Sequence, residues 1–435
     1  MTNKKSIPVC FISYIFPPLN AGGSVRSKNF VKYLGRLGYT CHVLTVRLPQ
    51  NHSDKTLKDQ LGFSEETTLH RAFSLDPFRA MRSLSGEMKE TPWQKILRWI
   101  SSFLFVPDRQ VLWLPFAVIE GIKVVKNCRC EVIYSTFGPA SNHLAALVLK
   151  WLTKKPWIAD FRDPWMANRN FKFVTPLHRG LHRLLEGLTV RFADKVIAVN
   201  DYILKSLSCR PQAAGKLAIL PHGFDVELLD KYKDLGDRAG KKKFTIGYMG
   251  SFFKGRSPEY FFKGVEKLLS SGKIDPSDFR IVFMSNLNKN AVARPPLREV
   301  LEMLDLSSHA EAVKRMTDST VLLLIVEEGL KEQILNVKLF DYMGMGKPIL
   351  ALVPWDSATA AYLKPSGLGT FADPSGIDDI AQKIFWLYQS WKQGQLIPGP
   401  DCGYISQFEA GKITERLSLL IEELRRPSSA ATLSQ

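Results

Sequence analysis

Short apolar runs and stretches of helical periodicity alternate along the chain. Val9 to Ser13 is an apolar run, and a loop rich in proline and glycine, 16–23, follows it. Val25, Phe30, Val31, Leu34 and Leu37 then fall on one face at helical spacing, and Gly38 closes the helix. Cys41 to Val46 reads as the next buried strand, which makes a β–loop–α–β unit and hence a parallel sheet covered by helices. The alternation recurs: strands at 132–135 and 157–160 enclose a helix at 141–152, a strand at 195–199 precedes a helix after Asp201, and 217–220 ends the series. A second series starts at Thr245 to Met249, with helical stretches near 258–270 and 336–345 and strands at 280–284, 321–325 and 349–353. Between the two, the charged, glycine-containing segment Lys231 to Lys243 reads as a linker. Ile413 to Leu424 is an amphipathic final helix, and 427–435 reads as a disordered tail.

The pattern predicts an α/β protein of two Rossmann-like domains whose parallel sheets face an interdomain cleft. The expected boundaries are 1–225 for the first domain, 240–405 for the second, 406–426 for a C-terminal helix able to cross back to the first, and 427–435 for the tail.

The length of 435 residues suits two or three domains, and the 29 glycines and 25 prolines exclude collagen-like and low-complexity chains. Charge changes the picture more. The net formal charge is +17, yet residues 1–210 hold 31 Lys and Arg against 15 Asp and Glu, and residues 211–435 hold 28 against 27. One half therefore carries the excess, as expected of a surface that meets something anionic. The six cysteines, Cys10, Cys41, Cys128, Cys130, Cys209 and Cys402, show no paired metal spacing, and a chain this size needs no disulfides. The expectation is reduced thiols, a cytoplasmic setting and no metal. No signal peptide is read at the N-terminus, and no uncharged apolar run reaches the roughly 18 residues of a membrane span.

Ligands of open parallel sheets bind at the loops beyond the carboxyl ends of the strands. In the first series, Gly22-Gly23 opens a helix whose N-terminus can face an anion. The turn Ser135 to Ser141 leads to His143 in the first turn of a helix capped by Ser141, where the helix dipole favours the neutral imidazole. In Asp160-Phe161-Arg162-Asp163-Pro164-Trp165, Asp160 is expected to brace the loop as an internal ion pair, and Asp163 to face a polar substrate. In the second series, Gly250 with Lys254 and Arg256 suits a diphosphate. Lys338 and Asp341 lie three apart on one helix face, where Asp341 can accept the two hydroxyls of a ribose and Lys338 joins the donor site, or the two form a surface salt bridge.

Several of these pieces, in order, resemble the GT-B-fold glycosyltransferases, and most of all the retaining family 4 glycosyltransferases. The resemblance is carried by Phe16-Pro17-Pro18, Gly22-Gly23-Ser24-Val25-Arg26, the run Leu34 to Thr45, Asp160 to Trp165, Ala193 to Asn200, Leu220 to Asp225, the Gly250 to Arg256 loop, and Lys338 to Ile349. It runs from about residue 8 to 425. It implies a GT-B fold and a nucleotide-sugar donor held mainly by the C-terminal domain, with the acceptor held mainly by the N-terminal one. Lys254 and Arg256 would hold the donor diphosphate, Asp341 the ribose, and Gly22 and Gly23 would lie beneath the diphosphate, while His143 and Asp163 would approach the transferred sugar. Many family members carry Glu, seven residues, then Glu. Here Asp341 matches the second, and the first falls on Gln333 with Glu332 beside it, so which takes that position stays open.

The function expected by resemblance is transfer of a sugar, with retention and without metal, from a nucleotide-sugar co-substrate to a glycan or lipid-pyrophosphate-linked acceptor in cell-surface or exopolysaccharide biosynthesis. No other cofactor and no nucleic acid are expected. A basic and aromatic segment at 71–113, which includes Arg71, Arg79, Trp93, Arg98, Phe103 and Trp113, suits the inner face of an anionic membrane. A sugar-nucleotide epimerase of the same fold and a non-catalytic polysaccharide- or nucleic-acid-binding protein are the alternatives.

Overall fold

The structure is a computed structural model that describes residues 6–19, 22–48, 54–76, 103–169, 171–238, 243–252, 257–288, 295–326, 329, 335–395 and 399–426. Two units divide the chain: residues 1–221 with 410–435, and residues 222–409.

In the first unit the elements run β1 (Ile7–Ile12), α1 (Gly22–Arg36), β2 (Tyr39–Val46), α2 (Asp54–Leu61), β3 (Thr68–Ala72), α3 (Leu114–Asn127), β4 (Val132–Thr136), α4 (Ser141–Thr153), β5 (Trp157–Phe161), α5 (Pro176–Phe192), β6 (Lys195–Ala198), α6 (Asp201–Ser208) and β7 (Leu217–Ile219). The second unit continues with α7 (Val226–Arg238), β8 (Phe244–Met249), α8 (Glu259–Ser270), β9 (Phe279–Met284), β10 (Leu301–Leu304), α9 (His309–Met316), β11 (Val321–Ile325), α10 (Val337–Gly344), β12 (Ile349–Leu352), α11 (Ala358–Leu363), β13 (Gly369–Ala372), α12 (Ile377–Lys392) and α13 (Cys402–Ser406). A final helix, α14 (Ala410–Arg425), belongs to the first unit.

Among the described residues every strand pairing is parallel. The first sheet has the order β3-β2-β1-β4-β5-β6-β7 and the second β10-β9-β8-β11-β12-β13. Both orders reverse direction after their first strand. The loops after β1 and β4 therefore diverge side by side in one unit, and those after β8 and β11 do so in the other, where such sheets take ligands. Strands near the middle of each sheet are buried on both faces, which is why they read as largely apolar runs. The first core joins Val9, Phe11, Val31, Leu34, Val43 and Tyr134 to Ile413, Leu417 and Ile421 of α14, which packs along α1.

Several expectations change. Leu37 lies beyond the end of α1, in the turn that Gly38 completes at φ +85°, and is 41% exposed. Most of the segment read as a linker is helix: α7 runs to Arg238, with Leu229 buried, and it packs against α9. Within 71–113, Trp113 is fully buried, edge-on to Tyr14 with ring centroids 5.3 Å apart, whereas Phe103 is exposed. Residues 77–102, with Arg79, Trp93 and Arg98, lie outside the described residues, as does the tail 427–435.

Candidate active site

Three loops meet at the carboxyl edge of the first sheet, and Arg162 ties two of them together. Its Nε donates to the Phe137 carbonyl at 2.6 Å and its Nη2 to the Gly138 carbonyl at 2.7 Å. The same guanidinium occupies the space where a Cβ on Gly23 would stand, and it also crowds Gly138, which holds φ at +80°. Gly23 therefore admits an arginine of this chain. Gly22 is the first residue of α1.

Asp160 does brace the loop, but not through Arg162. Its carboxylate takes a bidentate pair from Arg26, 2.8 and 2.9 Å, both residues being buried, and a hydrogen bond from the Tyr134 hydroxyl. Arg26 also donates to the carbonyls of Leu220 and Pro221, at 2.9 and 2.7 Å, so every side of its fork is used. Burial works against the Arg26 charge, and Asp160 together with Tyr134 more than offsets it. Burial, then the Asp160 charge, pushes the Tyr134 hydroxyl well above its ordinary pKa. Asp163 differs in kind: its side chain is 58% exposed, and the contact with Arg162 Nε is 3.9 Å.

The N-terminus of α4 is already filled. Ser141 is its first residue, and Asp108 accepts from both the Ser141 amide, 3.1 Å, and its hydroxyl, 2.6 Å. The expected Ser141 cap is thus replaced by a carboxylate from a distant segment. Asn142 joins the neighbouring loops by donating to the Thr136 carbonyl at 2.8 Å and accepting from the Tyr14 amide at 3.0 Å.

His143 lies in that first turn without exposed surface. Its Nδ1 shares a 2.8 Å hydrogen bond with Ser135 Oγ, which in turn accepts from Trp157 Nε1, and its ring sits among Phe137, Trp157 and Phe161. Nε2 is buried with no partner among the described residues. Burial drives its pKa down to about 3, so the ring is neutral at physiological pH.

In the second unit, β8 is followed by Gly250, whose φ of +129° is open to glycine and whose missing side chain makes room for Lys338 Nζ. Lys338, from the first turn of α10, lies over the Tyr248 ring at 4.2 Å and donates to its hydroxyl at 2.9 Å. One turn on, Asp341 is buried, with Oδ2 bonded at 2.8 Å to Nε2 of His309, the first residue of α9. Tyr342 accepts from the Met249 amide at 3.1 Å and so fixes α10 to the end of β8. Gly250, Lys338 and Asp341 are thus set around the loop junction of one sheet. Lys254 and Arg256 lie outside the described residues, as do Glu332 and Gln333. His309 and Asp108 escaped the sequence reading. A histidine following a serine, Ser308-His309, looks like any helix start, and its aspartate partner lies 32 residues away.

Residues 21–228 match the family model described as Glycosyltransferase Family 4. No curated protein sequence matches the chain. Among solved structures, the fold is similar to that of HepE from Anabaena in complex with UDP and glucose, at 12% identity and a TM-score of 0.64, with 96% of this chain and 100% of that chain covered. It is similar also to sucrose-phosphate synthase from Thermosynechococcus elongatus, at 13% identity and TM-score 0.62 over 96% and 99% of the two chains. A Listeria monocytogenes protein assigned as a UDP-N-acetylglucosamine 2-epimerase is similar at 12% identity and TM-score 0.54 over 96% of each chain. The chain therefore has the GT-B fold, which glycosyltransferases and epimerases share, and over its first half it resembles family 4 glycosyltransferases in sequence.

Proposed function

We propose that the chain is a glycosyltransferase that moves a sugar from a nucleotide-sugar donor to a glycan or lipid-linked acceptor, in cell-surface or exopolysaccharide biosynthesis. The observation that carries this reading is the group of Gly250, Lys338 and Asp341 at the switch point of the second sheet. Gly250 lets a phosphate approach the backbone beside the Lys338 ammonium, and Lys254 and Arg256 follow in the same loop of the sequence. These cations offset the charge that grows on the departing nucleoside diphosphate, the task a metal performs in other enzymes. His309 holds one oxygen of Asp341, and the other is offered to a ribose hydroxyl. Retention would follow from attack on the face the diphosphate leaves, as the family resemblance implies. In the first unit Asp163 is the exposed carboxylate available to the sugar or acceptor. His143, having no exposed surface, acts by positioning Phe137 and Ser135 beneath the loop.

UDP-, GDP-, ADP- and dTDP-sugars should be screened by thermal shift, since the true donor raises the unfolding midpoint by mass action. Lys338→Met and Asp341→Asn are each expected to weaken the stabilising donor by roughly ten- to hundredfold, the worth of one hydrogen bond to a charged group. Unchanged donor affinity in both variants would sink the reading. The epimerase alternative is supported by the similarity to the Listeria protein. It is distinguished by conversion of the sugar nucleotide with no acceptor present.

A further inference from the structure

A cluster of nitrogen and sulfur ligands lies in the first unit, away from the switch-point loops. His42 on β2, His70 on β3 and Cys128, just after α3, each offer a ligand atom, and these three atoms lie within 4.8 Å of one another. Three separate segments supply them, so the spacing of cysteines along the sequence gives no sign of the group.

The register of the sheet explains why they meet. His42 pairs with Thr68 and Leu44 with His70, and residues two apart on a strand share a face. Leu44 points at Gly121 of α3, and His70 Nδ1 lies 3.9 Å from Oε1 of Glu120 on the same helix, so both imidazoles sit on the face that α3 covers. Cys128 caps α3, in the connection that leads into β4. That connection belongs to the amino edge of the sheet, opposite the loops that carry Gly23, Arg162 and Asp163.

Thr68 organises the two rings. Its Oγ1 lies 2.6 Å from His42 Nδ1 and 3.0 Å from His70 Nε2. A hydroxyl oxygen has two lone pairs and can accept from both N–H groups; in those tautomers His42 Nε2 and His70 Nδ1 carry the free lone pairs. This is the outer-shell arrangement that fixes the tautomer of a metal-bound histidine. His42 is 8% exposed, while His70 and Cys128 are half-buried beside the edge strand, so an ion has a way in.

We propose that His42, His70 and Cys128 bind a zinc ion, with water in the fourth position and the Glu120 carboxylate adding negative charge beside it. Two imidazoles and a thiolate form a borderline-soft set that suits tetrahedral zinc, with bonds of about 2.0–2.1 Å to nitrogen and about 2.3 Å to sulfur. As the sulfur ligates, the Cys128 thiol gives its proton to solvent. The ion would fasten the edge strand β3 to β2 and to the end of α3. It would take no part in sugar transfer, so the site stands or falls independently of the proposed activity.

The test uses the full chain, stripped with a chelator under reducing conditions and titrated with Zn²⁺ and with Co²⁺ as a coloured substitute. One equivalent of each metal is expected, with Zn²⁺ raising the unfolding midpoint and Co²⁺ giving tetrahedral visible bands and a thiolate-to-cobalt band. Cys128→Ser should abolish the thiolate band. His70→Gln should weaken binding by at least about 100-fold, and Thr68→Val by roughly 10–100-fold. Cys402→Ser, at an exposed cysteine of the other unit, should bind as the parent does. If Cys128→Ser fails to fold, the His70→Gln stoichiometry carries the same decision. Less than half an equivalent of metal in the parent, or a thiolate band that survives Cys128→Ser, overturns the proposal.

Discussion

Gly23 stands where the Arg162 guanidinium needs room, and the pairing shows why a glycine next to a helix start is hard to read. In the sequence it suggests a close phosphate, whereas in the fold the nearest cation is the chain's own. Gly23→Ala should cost about 1–3 kcal/mol of stability, the usual penalty of overpacking, and most of that loss should vanish in an Arg162→Ala background. Denaturant unfolding of the four proteins in the cycle measures this, and an undiminished loss would clear Arg162 of responsibility. His143 gives a second prediction at this scale. Its folded pKa of about 3 lies below the ordinary value of about 6.5, so between those pH values the unfolded chain binds a proton that the folded chain refuses. Stability from this group is complete above about pH 6.5 and falls as the pH drops, by up to about 1.4 kcal/mol per unit. His143→Gln should flatten the fall in unfolding free energy between pH 6 and 4, and an unchanged slope would contradict the assignment.

Elements were legible where both faces of a strand are buried. β1, β2, β4, β5, β8, β11 and β12 are apolar runs, and the helix between β1 and β2 shows its stripe plainly. The edge strands β3 and β13 were not, although β7, at the other edge of the first sheet, was. β3 is Thr-Leu-His-Arg-Ala and β13 is Gly-Thr-Phe-Ala, half-buried sequences whose strand character comes from the neighbour that pairs with them. The last helix was legible as amphipathic, but its amphipathicity says nothing about which surface it covers. In the structure Leu417 is fully buried against the first core, and Leu419, two residues on, is 68% exposed. Leu417→Ala should therefore cost about 2–5 kcal/mol, while Leu419→Ala stays within about 0.5 kcal/mol. Equal effects on the midpoint of chemical unfolding would mean that α14 does not seal that core.

At the scale of the whole molecule, two sheets with Rossmann strand order were foreshadowed by two series of alternating strands and helices. The order of the weak motifs along the chain carried the family resemblance. The partners that complete the sites were out of reach, because each crosses a long stretch of chain: Asp108 to Ser141, Arg26 to Asp160, His309 to Asp341. Charge was legible as an asymmetry, with the excess in residues 1–210. If that excess draws the first half to an anionic leaflet, the protein should co-sediment with anionic lipid vesicles at low ionic strength and leave them as salt rises, each basic residue near the surface contributing about 1 kcal/mol. No sedimentation at low salt would refute membrane attachment.

The return of α14 to the first unit also bears on the order of synthesis. Residues 222–409 are made between the two parts of that unit. At about 5–20 residues per second, a ribosome takes roughly 10–40 s to cover that stretch. Throughout that interval the α1 side of the first core, with Val31 and Leu34, waits for Ile413, Leu417 and Ile421. The part of the protein that leaves the ribosome first is thus the part that is finished last.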